Sequence, residues 1–342
     1  MIREAIARLV AGAHLGEEEA AQVMEEIMAG EAQEAQVAAY LVALRLRGET
    51  VEVIAGSARA MRAKAVPLRA RVEPLVDTCG TGGDGAGTIN ISTAAALVAA
   101  GAGVAIAKHG NRGVSSPSGS ADVLEALGVR IDLEPDQVQR CIEQAGIGFL
   151  FAPRYHPGMR HAAPTRKALG IRTLFNVLGP LANPAGADRQ VMGVFAPEWV
   201  EPIAQVLERL GCREAMVVHG LDGVDELSIS GPTQVVHLRE GRFRRLLVEP
   251  EDAGLKRYPS DAIRGGTPQE NARRIEAVLA GREHGAARDV IVLNAAAALV
   301  VGGRAEDLRE GVARAAAAID SGAALERLEA LRRLAGAPEA VA

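Results

Sequence analysis

The sequence predicts an α/β protein, with a helical N-terminal domain followed by a larger α/β domain on a mostly parallel central sheet. Three observations carry that expectation. The first 65 residues show helical periodicity throughout. After Pro67, short apolar runs alternate with amphipathic or alanine-rich stretches. Glycine- and serine-rich loops separate each run from the stretch behind it, the order expected of strand–loop–helix units whose strands pair in parallel.

In the N-terminal part, IREAIARLVAGA, EEEAAQVMEEIMAG and AQVAAYLVALRLRG carry apolar residues at helical spacing and close near a glycine. VEVIAGSARAMRAKA makes a fourth helix and stops before Pro67. PLVDTC then reads as a strand, TINISTAAALVAAGAG as a helix, VAIAKHG as a buried strand and SADVLEALG as a helix. The segment APRYHPGMRHAAPTRKALGIRTLFNVLGPLANP is basic, proline-punctuated and helical in pattern. RQVMGVF and EAMVVHG return as strands around a helix in PEWVEPIAQVLERLG. Helices over 267–279, 287–301, 305–319 and near the C-terminus complete the chain. The expected domains are discontinuous. Residues 1–66, completed by helices from about 155–185, form the helical domain; 67–154 and 186–342 form the α/β domain.

A chain of 342 residues suits two subdomains. A net charge of −5 argues against nucleic acid as a partner, because phosphate-backbone binding needs a basic face. An anionic ligand must therefore be held by local features. Cys79, Cys141 and Cys212 are scattered and odd in number, which fits a reducing compartment. Arg3 and Glu4 precede only a short amphipathic run, so no secretory signal is expected. The longest apolar stretch, 94–107, is too short to span a bilayer. A cytoplasmic protein without a membrane partner is expected.

The stretch DTCGTGGDGAGTINIST, residues 77–93, has five glycines in positions 80–87. Gly80, Gly82 and Gly85 satisfy G-x-G-x-x-G, by itself a weak dinucleotide signal. The next strand ends in Lys108-His109, where a dinucleotide fold wants an acid for the ribose, and no Asp or Glu occurs from 85 to 121. Arg112 leaves an NADP reading open. A phosphate cradle suits the composition better. Small residues expose backbone N–H groups, and Asn90, Ser92 and Thr93 stand where a helix starts and its unpaired donors attract an anion. A plain strand-to-helix turn capped by Ser92 or Thr93 is the competing explanation.

The loop after the next strand, KHGNRGVSSPSGSADVLEALG, strengthens the phosphate reading. Lys108 and Arg112 add positive charge, while Ser115, Ser116, Ser118 and Ser120 add hydroxyls. Two anion-seeking loops on neighbouring strands fit a ligand with two phosphate-bearing ends. Asp225-Glu226, in VVHGLDGVDELSIS, would repel such a ligand unless a divalent cation intervenes. Magnesium takes a few carboxylates together with phosphate oxygens and waters. Alone, the dipeptide is an ordinary solvated turn.

Taken together, GTGGD at 80–84, NIST at 90–93, KHGNR at 108–112, GSADVLEALG, RKALGIRTLFNVLGPLANPA and the acidic turn at 223–226 occur in an order that resembles the anthranilate phosphoribosyltransferase family. The resemblance covers essentially the whole chain. Gly113 and Pro117 depart from the Ala and the Lys or Cys commoner in that family, which puts the stiffness of their loop in question. The resemblance implies transfer of a phosphoribosyl group from 5-phosphoribosyl 1-diphosphate to the amine of anthranilate in tryptophan biosynthesis, with release of diphosphate and with two magnesium ions. It implies a donor site of Gly80, Gly83, Asp84, Thr88, Asn90, Ile91, Ser92 and Thr93, continued by Lys108, His109, Gly110, Asn111, Arg112, Gly113, Val114, Ser115, Ser116 and Ser120. Gly80, Asn111 and Arg166 would contact anthranilate; Ser92, Asp225 and Glu226 would hold magnesium. His109 and His156 are candidates for proton acceptors or orienting groups, against a plain structural role. A homodimer through the helical domain is also implied. A related nucleoside phosphorylase, or a silent nucleic-acid-binding relative of the same fold, remains open at this point.

Overall fold

The computed structural model describes residues 1–113 and 116–337. Four helices come first: α1 (Ile2–Val10), α2 (Glu17–Ala29), α3 (Glu34–Arg47) and α4 (Val51–Lys64). Their ends follow their sequences. Three glutamates open α2 where the helix dipole favours negative charge, and Gly30 closes it in the left-handed conformation at φ 76°. Thr50 Oγ1 accepts the Val53 N–H at 3.3 Å and caps α4.

The α/β part begins with β1 (Leu75–Asp77), α5 (Ile91–Gly101), β2 (Ala105–Gly110), α6 (Ser120–Ala126), α7 (Pro135–Ala145) and β3 (Ile147–Phe151). A short helix α8 (Ala152–Tyr155), a 3-10 turn at Pro157–His161, α9 (Ala163–Leu169) and α10 (Phe175–Leu181) then cross back to the N-terminal helices. The 3-10 turn packs on α2, α9 on α3 and α10 on α4. The chain returns through β4 (Arg189–Gly193), α11 (Val200–Arg209), β5 (Glu214–Gly220), β6 (Thr233–Arg239) and β7 (Arg242–Val248). It ends in α12 (Pro268–Leu279), α13 (Ala286–Val301), α14 (Leu308–Asp320) and α15 (Ala323–Ala335).

One seven-stranded sheet has the order β3-β2-β1-β4-β5-β6-β7. From β3 to β5 every pair is parallel; β6 and β7 add an antiparallel hairpin. The edge strand β3, helix α7 and that hairpin are elements beyond those read from the sequence. In β7 both faces carry exposed arginines, Arg242, Arg244 and Arg245, which dilutes the alternation that marks a strand.

Two apolar clusters sandwich the sheet. On one face α5 and α13, alanine-rich and buried nearly throughout, pack together with α12 and α15. On the other, α11 covers β5 and β6, and its core runs without a break into the N-terminal helices: Ile54 and Tyr40 share a cluster with Leu178, Ile203 and Val217. Each fully buried aliphatic side chain there contributes about 1.5–3 kcal/mol. Arg62 of α4 reinforces the seam by donating to the carbonyls of Leu181 and Leu210.

Candidate active site

The order of the sheet reverses between β1 and β4, and at such a point the loops leaving adjacent strands part and open a crevice at the carboxyl edge. The glycine loop after β1 fills this place and is tethered residue by residue. Thr81 N–H donates to Gly193 O at 2.9 Å, at the end of β4. Gly82 N–H donates to Asp225 Oδ2 at 2.7 Å. Asp84 Oδ2 accepts the Asp225 N–H at 3.3 Å. Arg172, in the segment between α9 and α10, donates to Gly83 O. The approach is so close that a β-carbon on Gly193 would stand 1.5 Å from Asp225 O, so only glycine fits there.

Where the loop enters α5, its side chains are equally fixed. Asn90 gives its Nδ2 to Ser118 O and takes Ser118 Oγ and Asn271 Nδ2 on its Oδ1, each at 2.9 Å. Ser92 N–H donates to Glu226 Oε1 at 3.1 Å. Lys108, nearly fully buried at the end of β2, sends Nζ to Thr78 O at 2.7 Å and to Ser92 Oγ at 3.3 Å. Ile91 and Thr93 are buried in the core, and Thr88 pairs across to Arg264.

The loop after β2 closes on Asp122, which accepts the N–H groups of Gly113 at 2.8 Å and Gly119 at 2.9 Å. A β-carbon on Gly113 would lie 2.5 Å from Ser116 O, so alanine at this position requires the loop to shift. Gly110 is buried, Asn111 and Ser116 are exposed, and Ser120 Oγ donates to Asn111 O at 3.3 Å. Val114 and Ser115 lie outside the described residues. The Arg112 guanidinium is held by Asp122 at 3.1 Å and by Glu125, both on α6, so its charge is already met.

On the helical side, Arg166 of α9 stacks over Phe175 at 5.1 Å, and among the described residues it has no acidic partner. Burial lowers the pKa of its guanidinium. His109 and His156 are buried with ring centroids 5.2 Å apart. Desolvation holds them neutral, pushing His109 down to about 3 and His156 to about 4. His109 Nδ1 lies 3.0 Å from Gly179 O, while its Nε2 is buried without a partner among the described residues. Arg166 shares no hydrogen bond with Gly80 or Asn111 among the described residues.

The acidic turn after β5 therefore faces the glycine loop. Desolvation, then repulsion from Asp84, raises the Asp225 pKa; desolvation and the Asp225 charge raise that of Glu226. Carboxylates crowded in this way are relieved by a divalent cation. Among the described residues no three His, Cys, Asp or Glu side chains form a ready cage. Two carboxylates and Ser92 Oγ beside an anion cradle are the donor set magnesium uses, with phosphate oxygens and water completing its shell. The residues fit the ion.

Several residues that build the site escaped the sequence reading. Asp77 is fully buried, accepting the His109 N–H at 3.2 Å and Asn183 Nδ2 at 2.7 Å; burial pushes its carboxyl up to about 6. Asn183, Asn271 and Asn294 are buried amides, and Arg172 lies 4.4 Å over the Phe195 ring. Polar residues inside otherwise apolar runs, Asp77 in PLVDTC and Asn294 in VIVLNAAAALVV, were the available signal. A separate cleft of about 620 Å³ under β6 and β7 has an apolar floor of Met216, Val235 and Leu246, and it touches none of these loops.

Comparison with known proteins finds matches over nearly the whole chain. The family model described as the glycosyl transferase family, a/b domain, matches residues 72–325, and its helical bundle companion matches residues 3–65. The anthranilate phosphoribosyltransferase of Thermomicrobium roseum is 56% identical over 341 residues, 98% of each chain. The crystal structure of the Thermus thermophilus anthranilate phosphoribosyltransferase superposes with a TM-score of 0.92 at 51% identity, covering 96% of this chain and 98% of that one. The Saccharomyces cerevisiae enzyme, solved in complex with PRPP and Mg, superposes with a TM-score of 0.90 at 29% identity, covering 98% of this chain and 97% of that one. Another structure of the yeast enzyme contains 4-fluoroanthranilate.

Proposed function

The chain belongs to the anthranilate phosphoribosyltransferase family, and from that premise we propose how its residues divide the work. The enzyme transfers the phosphoribosyl group of 5-phosphoribosyl 1-diphosphate to the amine of anthranilate, giving N-(5-phosphoribosyl)anthranilate and diphosphate, a step of tryptophan biosynthesis. Relatives matching over 98% of the chain bear this name, which leaves no support for nucleoside phosphorolysis or a silent nucleic-acid-binding role.

The donor binds along the edge formed by the two phosphate loops, Gly80 to Thr93 with the Ser92 hydroxyl, and Lys108 to Ser120 beyond. The observation that carries this assignment is the meeting of Asp225 with Gly82 and of Glu226 with Ser92, which sets paired carboxylates against an anion cradle. Asp225, Glu226 and Ser92 hold magnesium, with two ions matching the two carboxylates and the two ends of the diphosphate. Bound magnesium supplies charge neutralisation for the departing diphosphate.

As the bond from ribose C1 to the diphosphate oxygen breaks, positive charge grows on the sugar and negative charge on the leaving group. Lys108 is already fixed in place to meet that negative charge, so little reorganisation is needed at the moment of reaction. Anthranilate's amine is neutral at pH 7 and attacks with its lone pair. Arg166, a half-buried cation without an acidic partner among the described residues, pairs with the anthranilate carboxylate. Gly80 and Asn111 border the same acceptor. His109 and His156, both neutral, line the crossing segment and orient the acceptor without carrying charge.

Two chains pair through the helical domain, where Val10 is 78% and Leu46 81% exposed on the packed helices α1 and α3. The unpaired cysteines suit a cytoplasmic location. Loss of anthranilate fluorescence on mixing protein, anthranilate, 5-phosphoribosyl 1-diphosphate and magnesium tests the function. Folded protein that leaves the fluorescence unchanged would refute it.

A further inference from the structure

Helix α13 is buried along almost its whole length, and its central stretch is apolar except for one residue, Asn294. The Asn294 side chain is itself buried, 2% exposed. Its Oδ1 accepts the Leu227 N–H at 2.9 Å, and its Nδ2 donates to Leu227 O at 2.9 Å. Nδ2 also donates to Val290 O, one helical turn earlier, at 2.9 Å, which fixes the amide's orientation. The side-chain amide thus pairs with the peptide groups of Leu227 as a neighbouring strand would, and Leu227 directly follows Glu226.

An amide placed in an apolar helix costs free energy unless its donors and acceptor are met. Leucine or alanine would pack α13 at lower cost, as its neighbours do. What the amide does supply is a fixed backbone at the end of the acidic turn. On the other side of the turn the Asp225 N–H is held by Asp84, so Asp225 and Glu226 lie between two anchors. We infer that Asn294 is a positioning residue that aims the carboxylates of the acidic turn at the metal, acting through the Leu227 backbone without touching any ligand. Groups behind a metal ligand that fix its direction commonly change metal affinity by about 10- to 100-fold when lost.

The inference rests on Asp225 and Glu226 being the magnesium ligands, so its test has to separate the two. Manganese binding to the full-length protein, with inorganic diphosphate present, is followed by the loss of the free-ion electron paramagnetic resonance signal. Parent protein, Glu226→Gln and Asn294→Leu are compared well below their melting temperatures. Asn294→Leu keeps the number and branching of side-chain heavy atoms and leaves both Leu227 groups unpaired; its manganese affinity is expected to fall about tenfold. Its turnover should return towards the parent value as magnesium is raised, with anthranilate affinity unchanged.

A folded Asn294→Leu protein of parent manganese affinity overturns the inference, even if its melting temperature is lower, because that outcome marks a purely structural amide. Unchanged affinity in Glu226→Gln instead removes the ligand assignment on which the inference stands. If Asn294→Leu does not fold, Asn294→Ser, which retains a donor and leaves room for a bridging water, is read by the same criteria.

Discussion

Glu226 accepts the backbone N–H of Ser92 at 3.1 Å, although 134 positions of sequence separate them. The contact brings the turn after β5 against the first turn of α5, and Lys108 Nζ reaches the Ser92 hydroxyl from the other side. Ser92→Ala removes that hydroxyl while keeping the backbone bond to Glu226. The affinity for 5-phosphoribosyl 1-diphosphate with magnesium is expected to fall roughly tenfold, the scale of one hydrogen bond to a charged group, and anthranilate binding should hold. Calorimetric titration of each substrate checks this; equal weakening of both would deny Ser92 a donor-side role.

Arg166 is a desolvated cation over Phe175 with no acidic partner among the described residues. Arg166→Ala should raise the KM for anthranilate by roughly 10- to 100-fold, the value of a hydrogen-bonded charge pair. The KM for the phosphoribosyl donor should change little. Steady-state kinetics with each substrate varied in turn decide the matter, and parallel increases in both constants would exclude a selective acceptor contact.

Arg172 joins the crossing segment to the glycine loop, bonding Gly83 O while stacking on Phe195. Arg172→Ala frees a loop already rich in glycine, so more order must be lost on binding the donor. A several-fold rise in the donor KM is expected, and Phe195→Leu, which removes only the stacking partner, should produce a smaller change in the same direction. A donor KM unaltered in Arg172→Ala would show that the tether does not set the loop.

The two buried imidazoles make a prediction about acid. His109 and His156 titrate near 6.5 when unfolded and near 3 and 4 when folded. Between pH 6.5 and about 4 the unfolded chain takes up protons that the folded chain refuses. This contribution to stability is therefore complete above pH 6.5 and is lost as the pH falls through that window. Asp77, raised from 3.8 to about 6, and the crowded carboxyls of Asp225 and Glu226, also raised, act in the opposite sense over part of the range. Set against the parent protein, His156→Asn should shift the pH dependence of the melting temperature below pH 6.5 in one direction, making it fall less, or rise more, on acidification. An identical slope in the variant would mean that His156 is not the group refusing the proton.

Much of this architecture could be read from residue order alone. The four N-terminal helices declared themselves by periodicity and by glycines such as Gly30, and the glycine loop by the density of residues 80–87. The hairpin of β6 and β7 did not, because the exposed arginines of β7 break its alternation. Asp77 and Asn183 stayed silent for another reason. A buried polar residue reveals its purpose only through its partner, and theirs is 106 positions away. Asn294 and Leu227 pair across 67 positions in the same way. Arg112 shows the converse: a cation well placed in sequence is taken up by Asp122 and Glu125 of the next helix. Asp225 and Glu226, an ordinary dipeptide in sequence, acquire meaning only when the fold sets them against Gly82 and Ser92.

The most direct measurement is a calorimetric titration of 5-phosphoribosyl 1-diphosphate, with and without magnesium, into the parent protein and into the Asp225→Ala, Glu226→Ala double variant. Tight binding that depends on magnesium is expected for the parent, and weak binding indifferent to magnesium for the variant. Equal magnesium dependence in the two proteins would contradict the assignment of the acidic turn and glycine loop as one metal–diphosphate site.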